Sequence, residues 1–364
     1  MWKPPESIAQ RFPLIARPCP ACLPLPQRVH TLTELAASAA TLGDPSMAST
    51  VYNQAALIAS DVGDPDTARE MCHQHAAAYL HAAPLPGTLA IRALEPVVNL
   101  ARLQLRAGQA DDGRQRLLAL FEAVSTGSPV QVEDIAIPAD LVETVEDRQE
   151  VRAWLCRVLL ADGTRALTAA GRWAEALAHV EAHRGVGQRM LDGRQVAVLA
   201  ALASGNTLGA DILLTHTEPG EAWEGAVTDC LTVLCRRTAG RAWRRLLEDL
   251  VTTYLERPGR GHMTVLATRL GLAVLDVVDS SEHPAARLMV ADLYRRTMKA
   301  TDGYAALGVL NHHLARSHLT SEQRQTLDAV LTASGLGAGN LSTVHMQALT
   351  EAVEKAEVAL CGLL

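Results

Sequence analysis

The sequence contains few aromatic residues and no long hydrophobic run. Phe, Trp and Tyr together make up 3% of its 364 residues, so the core has to be built from Leu, Ala and Val. Leu and Ala favour helices, whereas the strands of a β-sandwich draw on β-branched and aromatic residues. No stretch approaches the roughly 20 apolar residues that a membrane-spanning helix needs. These shortages predict a helical protein that does not reside in a membrane.

An excess of basic residues is also missing. The net charge is −7 and the isoelectric point is about 6.0, whereas a nucleic-acid-binding domain usually carries a basic patch or stripe. The N-terminus has no basic region followed by an apolar run, so we see no secretory signal. We therefore expect no direct nucleic-acid partner, no membrane partner and a cytoplasmic location.

Common catalytic motifs are absent as well. The sequence has no GxGxxG after a strand, no GxxxxGK[ST] loop, no HExxH and no GxSxG. The acidic stretch from Asp140 to Glu150 lacks the paired aspartates and aromatic lining of helical prenyl-transfer enzymes. No cofactor and no catalytic residue are predicted, although an enzyme with unfamiliar residues stays an alternative.

The most informative feature that is present is a glycine followed five residues later by a small residue, recurring between apolar-periodic segments. A turn between antiparallel helices needs a residue that tolerates positive φ at the helix end, and then a small side chain for close packing. The pairs are Gly43/Ala48, Gly63/Ala68, Gly108/Gly113, Gly171/Ala176, Gly205/Ala210 and, more weakly, Gly303/Gly308. They predict an all-α fold of stacked helical hairpins.

The domain organisation follows from proline content and periodicity. Residues 1–28 hold seven prolines and are predicted to form an extended arm lying across the first helices or a loose tail. Helical repeats are predicted for 29–145 and for 146–364, forming one continuous array. Strand-like alternation is nearly absent, and a single helix is predicted for 302–318.

Two segments resemble tetratricopeptide repeats. The segment Leu167–Leu177 (LTAAGRWAEAL) is similar to the turn and second helix of such a repeat, and Leu103–Gly113 (LQLRAGQADDG) is a diverged version. Gly171 and Gly205 lie 34 residues apart, which is the period of this family. The resemblance covers about residues 30–220 and implies an α-solenoid. It extends to the repeat portion of bacterial helix-turn-helix regulators, but the proline-rich first 28 residues leave no room for their DNA-binding module.

A set of polar residues lies nine or ten positions before the turn glycines. In tetratricopeptide-like arrays the first helix of each pair lines the concave surface, so the resemblance implies that these side chains bind a peptide backbone. Two arginines follow three residues after members of the set, on the same helix face. The predicted peptide- or ligand-binding residues are Asn53, Asn99, Arg102, Asp162, Arg165 and Gln195. The alternative is a solvated helix face with local Asp162–Arg165 pairing.

A second candidate is a run of arginines around Trp243. Arginine clusters bind phosphates and acidic segments, so Arg237, Arg241, Arg244 and Arg245, which follow Arg236, are a weak candidate for anion binding. The alternative is a solvated face with i,i+4 pairs from Arg244 to Glu248 and from Arg245 to Asp249.

Cysteine and histidine supply two further candidates. Cys19 and Cys22 form a CxxC that is half of a zinc site, with Cys72, His73, His75 and His81 as the nearest further ligands; ordinary side chains are the alternative, and no metal is predicted. His312, His313 and His318 have the residue type for acid–base chemistry, against the alternative of exposed histidines at a helix end.

The leading functional hypothesis is a cytoplasmic, regulatory or scaffolding module that binds a peptide or protein segment in its concave groove, with a homodimer possible. One alternative is a receptor for a small molecule or signal peptide, which requires an enclosed pocket. Another is a helical enzyme or accessory subunit of a specialised biosynthetic pathway.

Overall fold

The computed structural model describes residue 8 and residues 11–16, 20–256 and 264–361. Helices make up nearly all the regular structure of these residues, which confirms the all-α prediction. Within the described ranges, no helix combines the length and apolar character needed to cross a bilayer.

Contacts divide the chain into two compact units, and each consists of two stretches of sequence. The first, here called the middle unit, comprises Met1–Pro24 and Leu167–Ser334. The second, the flanking unit, comprises Leu25–Ala166 and Gly335–Leu364. The domain boundaries inferred from the sequence stay predictions.

The flanking unit consists of consecutive helices, a short β-hairpin and the last described helix of the chain. Its elements are α1 (Leu25–Leu42), α2 (Pro45–Val62), α3 (Pro65–Leu80), α4 (Gly87–Arg106), α5 (Ala110–Thr126), β1 (Val130–Val132), β2 (Ile135–Ile137), α6 (Val145–Val158), a π-helical turn (Leu159–Gly163) and α18 (Thr343–Cys361). Helix α18 packs against α1 and α2.

Helices are the regular secondary structure of the middle unit's described residues, and residues 12–16 are irregular. The first helix, α7 (Thr164–Ala169), crosses the division between the units. It is followed by α8 (Trp173–Ala182), α9 (Asp192–Ala203), α10 (Thr207–Thr215), α11 (Ala222–Thr238), α12 (Arg244–Glu256), α13 (Thr264–Val278), α14 (Pro284–Ala300), α15 (Gly303–Asn311), α16 (His313–His318) and α17 (Ser321–Ser334). Helix α9 is buried over most of its surface.

Five of the six predicted turn glycines end helices in the left-handed conformation. Their φ angles lie between +61° and +97° at Gly43, Gly63, Gly108, Gly171 and Gly205. The alanines that follow them by five residues are fully buried at positions 48, 68, 176 and 210. The sequence rule for these five turns is therefore confirmed.

For the sixth pair, Gly303/Gly308, the left-handed turn was predicted at the wrong residue. Thr301, not Gly303, takes the left-handed conformation, with φ of +48°. Gly303 instead begins α15, where an added Cβ would lie 2.7 Å from the Cβ of Ser334 and 3.3 Å from the carbonyl oxygen of Cys22. Glycine is needed here because of close packing rather than because of its backbone angle.

Gly113 provides a direct test of close packing within a hairpin. A Cβ at this position would lie 2.7 Å from the carbonyl oxygen of Ala101 on α4. We expect Gly113→Ala to lower the free energy of unfolding by about 1–3 kcal/mol, because α4 and α5 would have to separate. Gly225 in α11 has nothing within 4 Å of the place that a Cβ would occupy, so Gly225→Ala is expected to stabilise by up to about 1 kcal/mol through helix propensity. Urea unfolding of both variants checks the opposite signs, and a stabilised G113A would contradict the packing argument.

Three elements differ from the sequence-based expectation. Residues 130–137 form an antiparallel β-hairpin, although strand-like alternation is nearly absent from the sequence. The expected helix over 302–318 is interrupted at His312, whose side chain accepts the backbone N–H of Ala315 at 3.2 Å and so starts α16. The proline-rich region was predicted to extend to residue 28, but Leu25–Leu42 is a helix of the flanking unit, and only the region's residues up to Pro24 belong to the middle unit.

Candidate functional site

Helices α2 and α4 lie side by side and are joined by hydrogen bonds at a regular interval. Arg92 donates to Ser46 Oγ at 2.8 Å, Asn99 to Asn53 Oδ1 at 2.9 Å and Arg106 to Ser60 Oγ at 2.8 Å. Each bond joins residues that are 46 positions apart, and successive bonds are seven residues apart on both helices. Because seven residues are about two helical turns, the two helices run parallel and in register.

The centre of this contact is a chain of side-chain hydrogen bonds, which we call the Asn cluster: Asn53, Glu95, Asn99, Arg102 and Asp162. Asn53 donates to Glu95 Oε2 at 2.7 Å and accepts from Asn99. Asn99 accepts from Arg102 Nη1 at 3.0 Å. From Arg102 through Asn99 and Asn53 to Glu95, each side chain donates to the next. Neighbouring hydrogen bonds strengthen one another in such an arrangement.

Asp162 fixes the other end of the cluster. It lies in the π-helical turn that follows α6, and its Oδ2 accepts from Nε and Nη2 of Arg102, both at 2.8 Å. The Asp162 side chain is only 7% exposed, whereas that of Arg102 is 47% exposed. Single π turns are frequent at functional sites, and here the turn lies where α6 meets the cluster.

The two asparagines retain hydrogen-bonding capacity. A carboxamide has two N–H donors and two acceptor lone pairs. Among the described residues, Asn53 and Asn99 each use one donor and one acceptor in the cluster, and both side chains are partly exposed. Each therefore has one donor and one acceptor left, which is the complement of one peptide unit.

The structure brings together four of the six predicted binding residues: Asn53, Asn99, Arg102 and Asp162. Arg165 lies on the exposed side of α7. Gln195 lies in the middle unit, fully buried, where its amide bonds both main-chain groups of Leu14. Its spacing from a turn glycine resembles that of the other members, but its partner is the N-terminal segment of the same chain.

The arginines around Trp243 are largely engaged within the middle unit. Arg237 donates to the carbonyl of Val277 at 2.7 Å and to Asp279 at 2.8 Å, and its guanidinium lies 4.9 Å from the Trp243 ring centroid. Arg241 pairs with Asp211 at 3.0 Å, and Arg244 lies 5.8 Å from the same indole ring. Arg245 is exposed on α12. The predicted anion site remains a prediction at these four residues.

The candidate zinc ligands do not assemble among the residues that the structure describes. No group of three or more His, Cys, Asp or Glu side chains in those ranges is arranged to hold a metal ion, and Cys19 lies outside them. Burial, followed by the charge of Glu133, raises the pKa of Cys72 to about 12, so its thiol stays protonated. His73 contacts Glu133 at 3.1 Å.

His75 lies in a polar pocket inside the flanking unit. Its Nε2 lies 3.2 Å from Ser49 Oγ, which in turn lies 2.7 Å from the hydroxyl of Tyr79, and its ring stacks on Tyr52 with 4.8 Å between centroids. Burial, assisted by the charge of Arg92, lowers the pKa of His75 to about 3. The imidazole is therefore neutral at physiological pH.

His312 is buried, contrary to the expectation of exposed histidines at a helix end. Its Nε2 lies 2.9 Å from Asp276 Oδ1, and its Nδ1 accepts from the backbone of Ala315. Both ring nitrogens are therefore occupied inside the middle unit, which leaves neither free for acid–base chemistry on a ligand.

A groove with a cavity volume of about 590 Å³ lies in the middle unit between α8, α9 and α10. Leu177, Ala197 and Leu213 are among its apolar lining residues. Glu181 and Arg184 line the same groove, so charges of both signs are available to a ligand there.

Sequence reasoning missed Glu95 and the hydrogen bonds on either side of the Asn cluster. The available signal was the spacing of polar residues on α4, namely Arg92, Glu95, Asn99, Arg102 and Arg106, which recur every three or four residues and so share one helix face. The α2 partners of Arg92, Asn99 and Arg106 lie 46 residues earlier, a separation that the search for a 34-residue repeat passed over. Comparisons with protein-family models, with curated proteins and with solved structures found no match to this chain.

Proposed function

We propose that this protein is a tetratricopeptide-like α-solenoid module that binds an extended peptide or protein segment at the Asn cluster. The observation that carries the proposal is the pair of partly exposed asparagines, each with one donor and one acceptor left over. A line of such amides matches the alternating N–H and C=O groups of an extended main chain. A regulatory or scaffolding role in the cytoplasm fits such a module.

The parallel alignment of α2 and α4 supports the stacked arrangement that this proposal needs. In a solenoid of helical hairpins the first helices of successive hairpins lie next to each other and form a shared surface. Three bonds with the same 46-residue separation support this arrangement for α2 and α4. Asp162 balances the charge of Arg102, so what this nearly half-exposed guanidinium offers a ligand is its remaining N–H donors.

A small-molecule receptor is the alternative, and the groove between α8, α9 and α10 is its candidate site, although this groove is open and the receptor hypothesis requires an enclosed pocket. The groove's volume of about 590 Å³ lies within the range of about 300–1,000 Å³ that is typical of ligand pockets. We prefer the peptide-binding proposal because four of the six binding residues expected from the sequence, Asn53, Asn99, Arg102 and Asp162, meet in the Asn cluster.

The double variant Asn53→Ala/Asn99→Ala tests the peptide-binding proposal. A phage-displayed library of random dodecapeptides is selected on the wild-type chain, and the affinity of the enriched peptide is measured by isothermal titration calorimetry. We expect the double variant to bind it about 30-fold more weakly, because up to four hydrogen bonds of about 0.5 kcal/mol each are lost.

Two controls accompany this measurement. Gln74→Ala changes an exposed side chain on α3 and is expected to leave the affinity unchanged. Circular dichroism checks that the double variant keeps its helices. Full affinity in a helical Asn53→Ala/Asn99→Ala chain would rule out the Asn cluster as the binding site.

A further inference from the structure

The described part of the N-terminal segment lies in the middle unit in the manner of a bound peptide. Residues 12–16 belong to no helix or strand. Ile8, Phe12 and Leu14 are nonetheless at most 2% exposed, and they are part of the hydrophobic core of that unit. Residues 8 and 11 are helical, so the irregular stretch itself contributes two buried apolar anchors, Phe12 and Leu14, and buried apolar anchors of this kind are typical of a peptide ligand in its binding site.

The main chain of this segment is held by one side chain. Gln195 on α9 accepts from the N–H of Leu14 at 2.7 Å and donates to the carbonyl of the same residue at 2.9 Å. The same Nε2 also donates to the carbonyl of Met190 at 3.1 Å. This two-point contact holds the main chain of a segment whatever its side chain, and the bond to Met190 keeps the amide in place without the segment.

A buried carboxylate binds the arginine of the segment. Arg11 forms an ion pair with Asp276 on α13, and the Asp276 side chain is 3% exposed. Because His312 Nδ1 accepts from Ala315, its Nε2 carries the proton and donates to Asp276 at 2.9 Å. Burial would raise the pKa of Asp276, but the hydrogen bonds from His312 and Arg11 hold it below its ordinary value. Asp276 thus keeps a partner when Arg11 leaves.

We propose that Gln195, Asp276 and the apolar core around them form a second peptide-binding site, which the chain's own N-terminal segment occupies and which also accepts an extended segment of a partner protein. The chemistry of the resident segment defines the partner. It carries an arginine, an aromatic residue next to it and an aliphatic residue two positions further, in the pattern of Arg11, Phe12 and Leu14. This inference is independent of the Asn cluster.

Tethering makes the resident segment a strong competitor. A segment joined by a short linker acts at an effective concentration on the order of 1 mM. A site with a micromolar intrinsic affinity would therefore bind a free peptide about a thousand-fold more weakly while the segment is in place. Displacement requires a partner of higher affinity or at high local concentration, so the segment sets a threshold for binding.

The test uses a fluorescein-labelled synthetic peptide with the sequence of residues 8–16 and measures its anisotropy with the full chain. Phe12→Ala/Leu14→Ala in the protein removes the anchors of the resident segment, and this chain is expected to bind the peptide at least 100-fold more tightly than wild type. Adding Gln195→Ala to that variant is expected to remove most of the gain. A peptide with glutamate in place of Arg11 is the matched control and is expected to bind at least tenfold more weakly.

Equal affinity of wild type and a folded Phe12→Ala/Leu14→Ala chain would overturn the proposal. If that variant does not fold, hydrogen exchange of the wild-type protein tests the proposal instead. Adding 1 mM unlabelled peptide is expected to speed the exchange of residues 8–16, because the peptide displaces the resident segment. Unchanged protection of these residues would overturn the proposal. Light scattering tests whether a second copy of this chain, rather than a partner protein, occupies the site. A dimer that the free peptide dissociates would identify a second copy of this chain as the occupant and would contradict the partner assignment.

Discussion

Replacing Asp61 with alanine is expected to lower the free energy of unfolding of the flanking unit by about 3–5 kcal/mol. The Asp61 side chain, 1% exposed near the end of α2, accepts from Arg28 of α1 at 2.7 Å and from Arg106 of α4 at 3.0 Å. Arg28 is itself only 8% exposed. Removing one partner of a buried ion pair is costly because the other charge stays in a poorly solvated environment.

The two arginines of this site provide the control. Arg106 is 47% exposed, so its pair with Asp61 is screened by water, and Arg106→Ala is expected to cost no more than about 1 kcal/mol. Urea unfolding followed by circular dichroism compares the variants, and native-state hydrogen exchange assigns the change to α1 and α2. Similar costs for Asp61→Ala and Arg106→Ala would show that burial of Arg28 does not determine the stability of this contact.

The stability of the flanking unit is expected to fall steeply between pH 7 and pH 5 because of His75. Burial lowers the pKa of His75 in the folded protein to about 3, whereas an exposed histidine titrates near 6.5. Between these values the unfolded state binds the proton and the folded state does not, so stability rises with pH and is lost on acidification. The slope approaches about 1.4 kcal/mol per pH unit, which gives a loss of about 2 kcal/mol at pH 5.

His75→Phe isolates this contribution, because phenylalanine keeps a ring against Tyr52 and removes the titrating group. The free energy of unfolding is measured in urea at pH 7.5 and pH 5.0 for both proteins. The decrease on acidification is expected to be larger in wild type than in His75→Phe by about 2 kcal/mol. Equal decreases would mean that His75 gains a proton in the folded state and that its pocket is open to water.

The sequence was most informative about the turns. Gly43, Gly63 and Gly108 could be assigned because the left-handed conformation and the buried small residue that follows are both local requirements. Asn53 and Asn99 could be placed on a shared face for the same reason, since their distance from the turn glycine fixes the helix face they occupy. Local spacing thus predicted both the hairpins and the centre of the candidate site.

What could not be predicted depends on contacts between distant parts of the chain. Gln195 follows the same spacing rule as Asn99, yet its partner is Leu14, 181 residues away in sequence. The β-hairpin over 130–137 has the alternating pattern of a strand pair, with Val132 and Ile135 buried, but it was obscured by acidic neighbours. Glu133 at its turn takes a φ of +51° and contacts Arg69 and His73, which no local pattern indicates.

The packing of α18 against α1 has a consequence for biosynthesis. These helices lie at opposite ends of the flanking unit's sequence, with Leu167–Ser334 between them. During translation the middle unit has all its residues once Ser334 has been added, whereas the face of α1 that receives α18 stays uncovered until residues 343–361 have emerged from the ribosome. Domains generally fold as units during synthesis, so a nascent chain that stalls before α18 exposes the apolar surface of α1 to chaperones and proteases.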